Sequence, residues 1–279
     1  MRPVGFKYRS KIDHKTWRSL WDWILCLSGV IASLTFGVAV GNVLQGVPFH
    51  FDADLRPFYT GSFLALFNPF ALVCGLISLA MLTMQGASYL ALKTENAISV
   101  RARKSAQISA ILLIVLFALA GFWVTYGIAG YQLNAVINFS APSNPLHKTV
   151  IQQVGVWVMN YTQHPFWLMA PLLGFLGALC VLALNKACPR FAFLMSSVSI
   201  LGIISTVGLS MFPFILPSSS NPQSSLTVWD SSASQLSLSI MLVCVIIFLP
   251  IIIIYTGFVY RILRGKVTSD YLNRNKDAY

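Results

Sequence analysis

Six long apolar runs constrain this sequence more than any other feature. They lie at about residues 19–44, 62–92, 106–131, 165–184, 191–216 and 236–260. Five of them contain no Asp, Glu, Lys or Arg, and the first contains only Asp22. A helix of about 20 such residues crosses the hydrocarbon core of a bilayer, and its backbone groups find their hydrogen-bond partners within the helix. The sequence therefore predicts an all-α integral membrane protein with six transmembrane helices in one membrane domain, residues 1–279.

The distribution of basic residues predicts how the helices are oriented. The chain carries a net charge of +11, a value that would also fit a nucleic-acid-binding protein. Of its nineteen lysines and arginines, however, only Arg56 and Lys148 lie in the connections after the first, third and fifth runs. Basic residues near helix ends are retained on the cytoplasmic side. We therefore expect both termini, including the tail 261–279, to be cytoplasmic, with anionic lipid rather than nucleic acid as the partner of the positive charge.

Few residues are candidates for chemistry at membrane depth, where ionisable groups are costly and usually functional. Asp22 lies about one turn into the first run and has two interpretations. It is either an acid that complements the helix dipole, or a proton-entry or structural acid paired with Arg2 or another base of the N-terminal segment. Trp229 and Asp230 precede the last run, where Trp229 is either a binding residue or an interfacial anchor. Arg2, Asp22, Trp229 and Asp230 are therefore the candidate proton or interface residues.

The sequence offers no evident ligands for haem or another metal. All four histidines, His14, His50, His147 and His164, lie in connections or at a helix end, and no two have the i, i+4 spacing of ligands on one helix. Methionine within an apolar helix usually packs in the core. No hydrolase or nucleotide-binding motif is present either. We expect this chain to ligate no cofactor through its own side chains and to have no catalytic activity alone.

Several ordered segments resemble subunit II of the cytochrome bd-type quinol oxidases. They are RPVGF at 2–6, YRSK at 8–11, WDW at 21–23, GNVLQGVPF at 41–49, MFPF at 211–214, PSS at 217–219, SLT at 225–227 and WD at 229–230. The resemblance runs along the whole chain. In that family an eight-helix fold of two four-helix bundles is expected, and this chain begins where the second of those helices would end. The first two family helices are therefore expected to be absent, so that six helices form part of the two-bundle fold.

The resemblance implies a function in the respiratory chain. The complex would oxidise quinol and reduce dioxygen to water in the bacterial cytoplasmic (inner) membrane, and so generate a proton gradient. Haem b and haem d would be held by a partner, subunit I, and a small accessory subunit could also attach. The present chain would be a scaffold, with a proton path or a quinone site left open.

A secondary transporter is the alternative function. Six helices interrupted by prolines are compatible with that class. The absence of paired charged groups near the middle of the predicted spans argues against it, because coupling ions bind there.

Overall fold

The computed structural model describes residues 2–9, 11–12, 14–134, 144–185, 187–262 and 265. Within these residues it contains eight α-helices and six short strands. The helices are α1 (Arg2–Arg9), α2 (Lys15–Gln45), α3 (Pro69–Lys93), α4 (Asn96–Tyr126), α5 (Val156–Gln163), α6 (Met169–Leu184), α7 (Pro189–Met211) and α8 (Gln235–Ile262). The strands are β1 (Phe49–Phe51), β2 (Pro57–Tyr59), β3 (Ala129–Leu133), β4 (Val150–Val154), β5 (Phe214–Leu216) and β6 (Leu226–Thr227).

Six of these helices are long and apolar enough to cross a membrane: α2, α3, α4, α6 with the 3₁₀ turn that precedes it, α7 and α8. The expected all-α, six-span architecture is confirmed. Some helix ends differ from those expected from the apolar runs. Helix α3 begins at Pro69 rather than near residue 62, because the Asn68 side chain accepts a hydrogen bond from the amide of Ala71 at 2.8 Å and proline suits the first helical position. Helix α4 ends at Tyr126 rather than near residue 131, because the following residues form β3.

Helix α3 lies at the centre of the bundle. It packs against α2, α4 and α7, and α6 packs against both α4 and α7. Polar side chains join α3 to α7. The Gln85 side-chain amide of α3 donates to the Ser197 hydroxyl of α7 at 2.8 Å and accepts a hydrogen bond from the Ser196 hydroxyl. Small residues let α6 and α7 approach closely, since the Ser199 hydroxyl donates to the Gly174 carbonyl at 2.7 Å. Close backbone contact and interhelical hydrogen bonds are what hold helices together in lipid.

Helix α8 stands apart from this bundle. It is the most apolar of the six spans, and none of its residues is buried. Its whole circumference is therefore available to lipid or to another membrane protein.

The two ends of the bundle differ in structure. At one end three antiparallel strand pairs, β1–β2, β3–β4 and β5–β6, lie together with α5. We call this the hairpin cap, residues 46–60, 127–134, 144–163 and 212–230. At the other end, which we call the basic end, lie α1, the α3–α4 turn (residues 94–95) and the described part of the α6–α7 connection (residues 185 and 187–188).

Candidate functional site

Asp22 forms an ion pair at the basic end. Its carboxylate accepts hydrogen bonds from Arg9 Nε at 2.6 Å and from a terminal nitrogen of the same guanidinium at 3.2 Å. The pair joins α1 to the first turns of α2, where the Tyr8 and Trp21 rings are also stacked with centroids 6.2 Å apart. The side chains of Arg9 and Asp22 are 39% and 52% exposed. Of the two interpretations of Asp22, this geometry favours the acid paired with a base of the N-terminal segment.

Arg2 is the first residue of α1, but its side chain lies outside the part of the chain that the structure describes. The base that the structure does pair with Asp22 is Arg9.

Asp230 lies at the opposite end, in the hairpin cap, where it is almost fully buried. Its carboxylate forms an ion pair with the ammonium group of Lys148, and the two side chains are only 12% and 3% exposed. The same carboxylate oxygen accepts hydrogen bonds from the Thr227 hydroxyl at 2.6 Å and from the Thr227 amide at 3.1 Å. Asp230 therefore fixes the end of β6 to the connection that leads into β4.

The environment of Lys148 opposes its positive charge. Burial lowers the pKa of the Lys148 ammonium group below its ordinary value, although the hydrogen bond and the charge of Asp230 act in the other direction. Removing a charge from water costs more than most ion pairs regain, so such a pair persists only where further hydrogen bonds satisfy it. Thr227 supplies those hydrogen bonds.

Trp229 is half-buried and lies edge-on to Phe212, with ring centroids 6.3 Å apart. The candidate residues thus occupy two places. Asp22 and Asp230 are separated by most of the length of α2, about 35 Å at 1.5 Å per residue. Trp229 and Asp230, which are neighbours in the chain, therefore lie far from Asp22.

Hydrogen bonds to backbone carbonyls attach the hairpin cap to the helices beneath it. The Trp157 indole N–H donates to the Leu44 carbonyl at 3.1 Å, and the Tyr131 hydroxyl donates to the Gln45 carbonyl at 3.3 Å. Burial raises the pKa of Tyr131 to about 12, so its hydroxyl stays protonated and acts as a donor. The Asn160 amide donates to three carbonyls at the end of α7, at 2.7 to 3.1 Å. These groups satisfy carbonyls that a helix end leaves without partners.

Strand β5 and the segment after it are joined to the end of α2. The Val47 amide donates to the Pro217 carbonyl at 2.9 Å, and the Ser219 amide donates to the Val47 carbonyl at 3.0 Å. Ser218 donates to the Phe49 carbonyl, and the Ser225 hydroxyl accepts from the Ser218 amide at 2.9 Å. The cap is thus a cross-linked unit rather than three separate loops.

Beneath the cap lies an apolar cavity of about 740 Å³ between α2, α3, α4, α6 and α7. Phe36, Phe70 and Phe117 are among its lining residues, and Tyr161 and Ser210 contribute hydroxyl groups. The Tyr161 hydroxyl is already bonded to the Thr206 carbonyl at 2.9 Å. Such a lining suits an isoprenoid or acyl chain better than a charged molecule.

The four histidines lie in the hairpin cap or at helix ends. No histidine lines the cavity. His50 stacks on Phe58 in the β1–β2 hairpin and His164 stacks on Trp167 beside α6, with centroids 5.7 and 4.6 Å apart. His14 contacts the Thr16 hydroxyl at 2.7 Å. Among the residues described, no three His, Cys, Asp or Glu side chains are grouped so as to hold a metal ion.

Two features of the site were missed by reasoning from the sequence. Lys148 counted there only as one of two basic residues on the poorly charged side, and Thr227 was part of a motif without a role. A signal for the pair did exist, because Lys148 and Asp230 are isolated opposite charges in two long connections on the same predicted side of the membrane.

Comparison with known proteins gives consistent matches. The family model described as cytochrome bd terminal oxidase subunit II matches residues 1–263. A probable cytochrome oxidase subunit 2 of Haemophilus influenzae is 45% identical to this chain over 280 residues, covering 100% of this chain and 74% of the relative. The cytochrome bd-I ubiquinol oxidase subunit 2 of Escherichia coli K12 is 43% identical over 275 residues, covering 98% of this chain and 73% of the relative.

A solved structure shares the fold. The bd oxidase from Geobacillus thermodenitrificans matches with a TM-score of 0.60 at 15% sequence identity. The match covers 88% of this chain, and this chain spans 66% of the chain in that structure. At this identity the likeness shows the fold alone.

Proposed function

This chain belongs to the cytochrome bd terminal oxidase subunit II family and is a subunit of a quinol oxidase, and from that premise we propose that it ligates no haem and supports a haem-bearing partner. The match of the family model to residues 1–263 is the observation that supports the place of this chain in the oxidase. The relatives reported above are oxidase subunits, so none of them favours the transporter alternative.

The proposed partner is subunit I, which would carry haem b and haem d; the haems supply electron transfer and the reduction of dioxygen. The contribution of this chain is structural. Its bundle presents apolar helix surfaces within the membrane, and α8 in particular has no buried residue. The hairpin cap fixes the ends of α2 and α7 to each other. A small accessory subunit and quinol in the membrane complete the proposed partners.

A quinone is the proposed small-molecule ligand of this chain, and the apolar cavity under the cap is the place for it. Its four phenylalanines, Phe36, Phe70, Phe117 and Phe175, suit an isoprenoid tail. The cavity residues are not proposed to react with the quinone.

The proposed location is the bacterial cytoplasmic membrane, with both termini cytoplasmic. The structure supports this orientation because Arg9, Lys93, Arg103 and Arg190 all lie at the basic end, on four different helices. Such a concentration of basic residues is typical of the cytoplasmic side. The hairpin cap would then face outward.

Co-purification tests the proposed function. We expect the tagged chain, when co-expressed with the large oxidase subunit, to recover a complex with haem b and haem d bands in reduced-minus-oxidised spectra and with quinol-dependent oxygen uptake. Haem bound by the tagged chain in the absence of the large subunit, or a chain that stays monodisperse and thermally stable without that subunit, would contradict the proposal.

Substitution of Asp22 tests whether this chain takes part in proton transfer. Because the Arg9–Asp22 pair is substantially exposed, solvent screens it and it contributes little to stability, and we propose that it only attaches α1 to α2. Asp22→Asn should leave haem content unchanged and oxygen uptake within about twofold of the wild type. Arg9→Gln is the matched control, since it breaks the same pair and keeps the carboxylate. A tenfold loss of turnover at normal haem content in Asp22→Asn alone would instead make Asp22 a proton-entry residue.

A further inference from the structure

A second cavity, of about 640 Å³, opens at the basic end between the α3–α4 turn and the start of α7. Ala91 and Ser99 form its buried floor, while Arg190 lies exposed at its rim. We propose that this cavity binds the phosphate group of an anionic phospholipid, with Arg103 and Arg190 as its ligands. The proposal concerns lipid binding and does not depend on the oxidase reaction.

Two guanidinium groups from different helices line the cavity. Arg103 comes from α4 and Arg190 from α7. The Arg103 Nε atom is buried and has no hydrogen-bond partner among the described residues. A buried donor without a partner is unfavourable, and a guanidinium presents paired N–H groups that match the oxygens of a phosphate. Arg103 therefore has hydrogen-bonding capacity that the described residues do not use.

Two helix N-termini also meet at the cavity. Helix α4 begins after Glu95 and helix α7 begins after Cys188, and neither of these capping side chains makes a hydrogen bond to its helix. The first amides of a helix carry a partial positive charge and favour an anion. Glu95 lines the cavity too and opposes the two arginines, but the balance of side-chain charge remains positive.

The position of the cavity at the membrane surface favours a lipid over a dissolved anion as its ligand. Arg103 lies in the early turns of α4, and the sequence from residue 105 to the end of that helix contains no charged residue. The guanidinium therefore lies where the hydrocarbon core meets the headgroups. Leu92 and the exposed Val100 give the cavity an apolar wall, which would contact the glycerol and upper acyl carbons. Basic pockets between membrane helices are a known way of binding anionic headgroups.

Lipid titration tests the proposal. The chain is purified with the subunits it retains, delipidated in detergent and titrated with phosphatidylglycerol, phosphatidylcholine or inorganic phosphate, while native mass spectrometry counts bound lipid. The wild type should retain one phosphatidylglycerol more strongly than phosphatidylcholine. Arg103→Gln and Arg190→Gln should each weaken this binding by about tenfold, the loss of one charge-assisted hydrogen bond.

Arg101→Gln is the matched control, because Arg101 is exposed on the same helix and is not among the residues that line the cavity. It should bind phosphatidylglycerol as the wild type does. Arg190 is exposed at the rim, so its substitution should not impair folding even if that of Arg103 does. The proposal would be overturned if all three variants lost affinity for phosphatidylglycerol equally, or if the wild type bound phosphatidylcholine as strongly as phosphatidylglycerol. Displacement of the bound lipid by millimolar inorganic phosphate would also overturn it.

Discussion

Replacing Lys148 by methionine is expected to destabilise the protein by about 3–5 kcal/mol, the typical cost of leaving one member of a buried ion pair without its partner. The Asp230 carboxylate is only 12% exposed, so water would not replace the lost ammonium group. The Thr227 hydrogen bonds would remain, but they do not neutralise the charge. The measurement is thermal unfolding of the purified complex in detergent.

Two further variants identify the cause of this loss. The double variant Lys148→Met/Asp230→Asn removes both charges and should recover most of the lost stability, because an apolar or neutral replacement of a buried pair is often nearly neutral. Arg56→Met is the matched control in the same cap. Arg56 and Asp54 are 3.9 Å apart and more than 70% exposed, so its loss should cost less than about 1 kcal/mol. If Lys148→Met and Arg56→Met behaved alike, the buried pair would have no structural role.

An added methyl group at Gly202 is expected to separate α7 from α6. An alanine Cβ there would lie 2.7 Å from the Ala170 carbonyl oxygen and closer still to the backbone nitrogen of Gly174. Backbone atoms cannot move aside as a flexible side chain can, so the helices must shift. We expect Gly202→Ala to cost about 3 kcal/mol, at the upper end of overpacking effects, and to lower the yield of assembled, haem-containing complex.

Gly208→Ala is the control for this substitution. Gly208 lies on the same helix, and a Cβ at that position would meet no atom within 4 Å. The substitution replaces the same residue type without a clash, so it should leave the unfolding temperature and the complex yield near the wild-type values. Equal yields of the Gly202→Ala and Gly208→Ala complexes would show that the close approach of α6 and α7 is not required.

The sequence predicts the membrane helices well because one large contribution to the free energy, the burial of apolar side chains in lipid, determines them. Burying an uncharged run of 20 or more residues in lipid outweighs every local preference. The helix ends depend on smaller effects, such as the Asn68 cap that delays α3, and apolar runs do not record them. Which base pairs with Asp22 is likewise set by the geometry of α1, and not by the abundance of basic residues around it.

The hairpin cap could not be predicted in the same way. It is stabilised by hydrogen bonds between segments far apart in the chain, such as Val47 with Pro217 and Gln223 with Val150. The serines, prolines and asparagines after α7 have the composition of a flexible linker. Only the contacts show that Ser218, Ser224 and Ser225 are fully buried.

The burial of that serine-rich segment changes how the connection should respond to solvent. Residues 217–227 lie at the end of the bundle, yet several of their amides are bonded to protein groups: Ser218 to the Ser225 hydroxyl, Ser219 to the Val47 carbonyl and Thr227 to the Asp230 carboxylate. Deuterium can enter these amides only when those hydrogen bonds open, and it can enter the Ser219 amide only when the segment detaches from Val47. The exchange protection of this connection should therefore approach that of the helices, and proteases that cut ordinary loops should find little access to it.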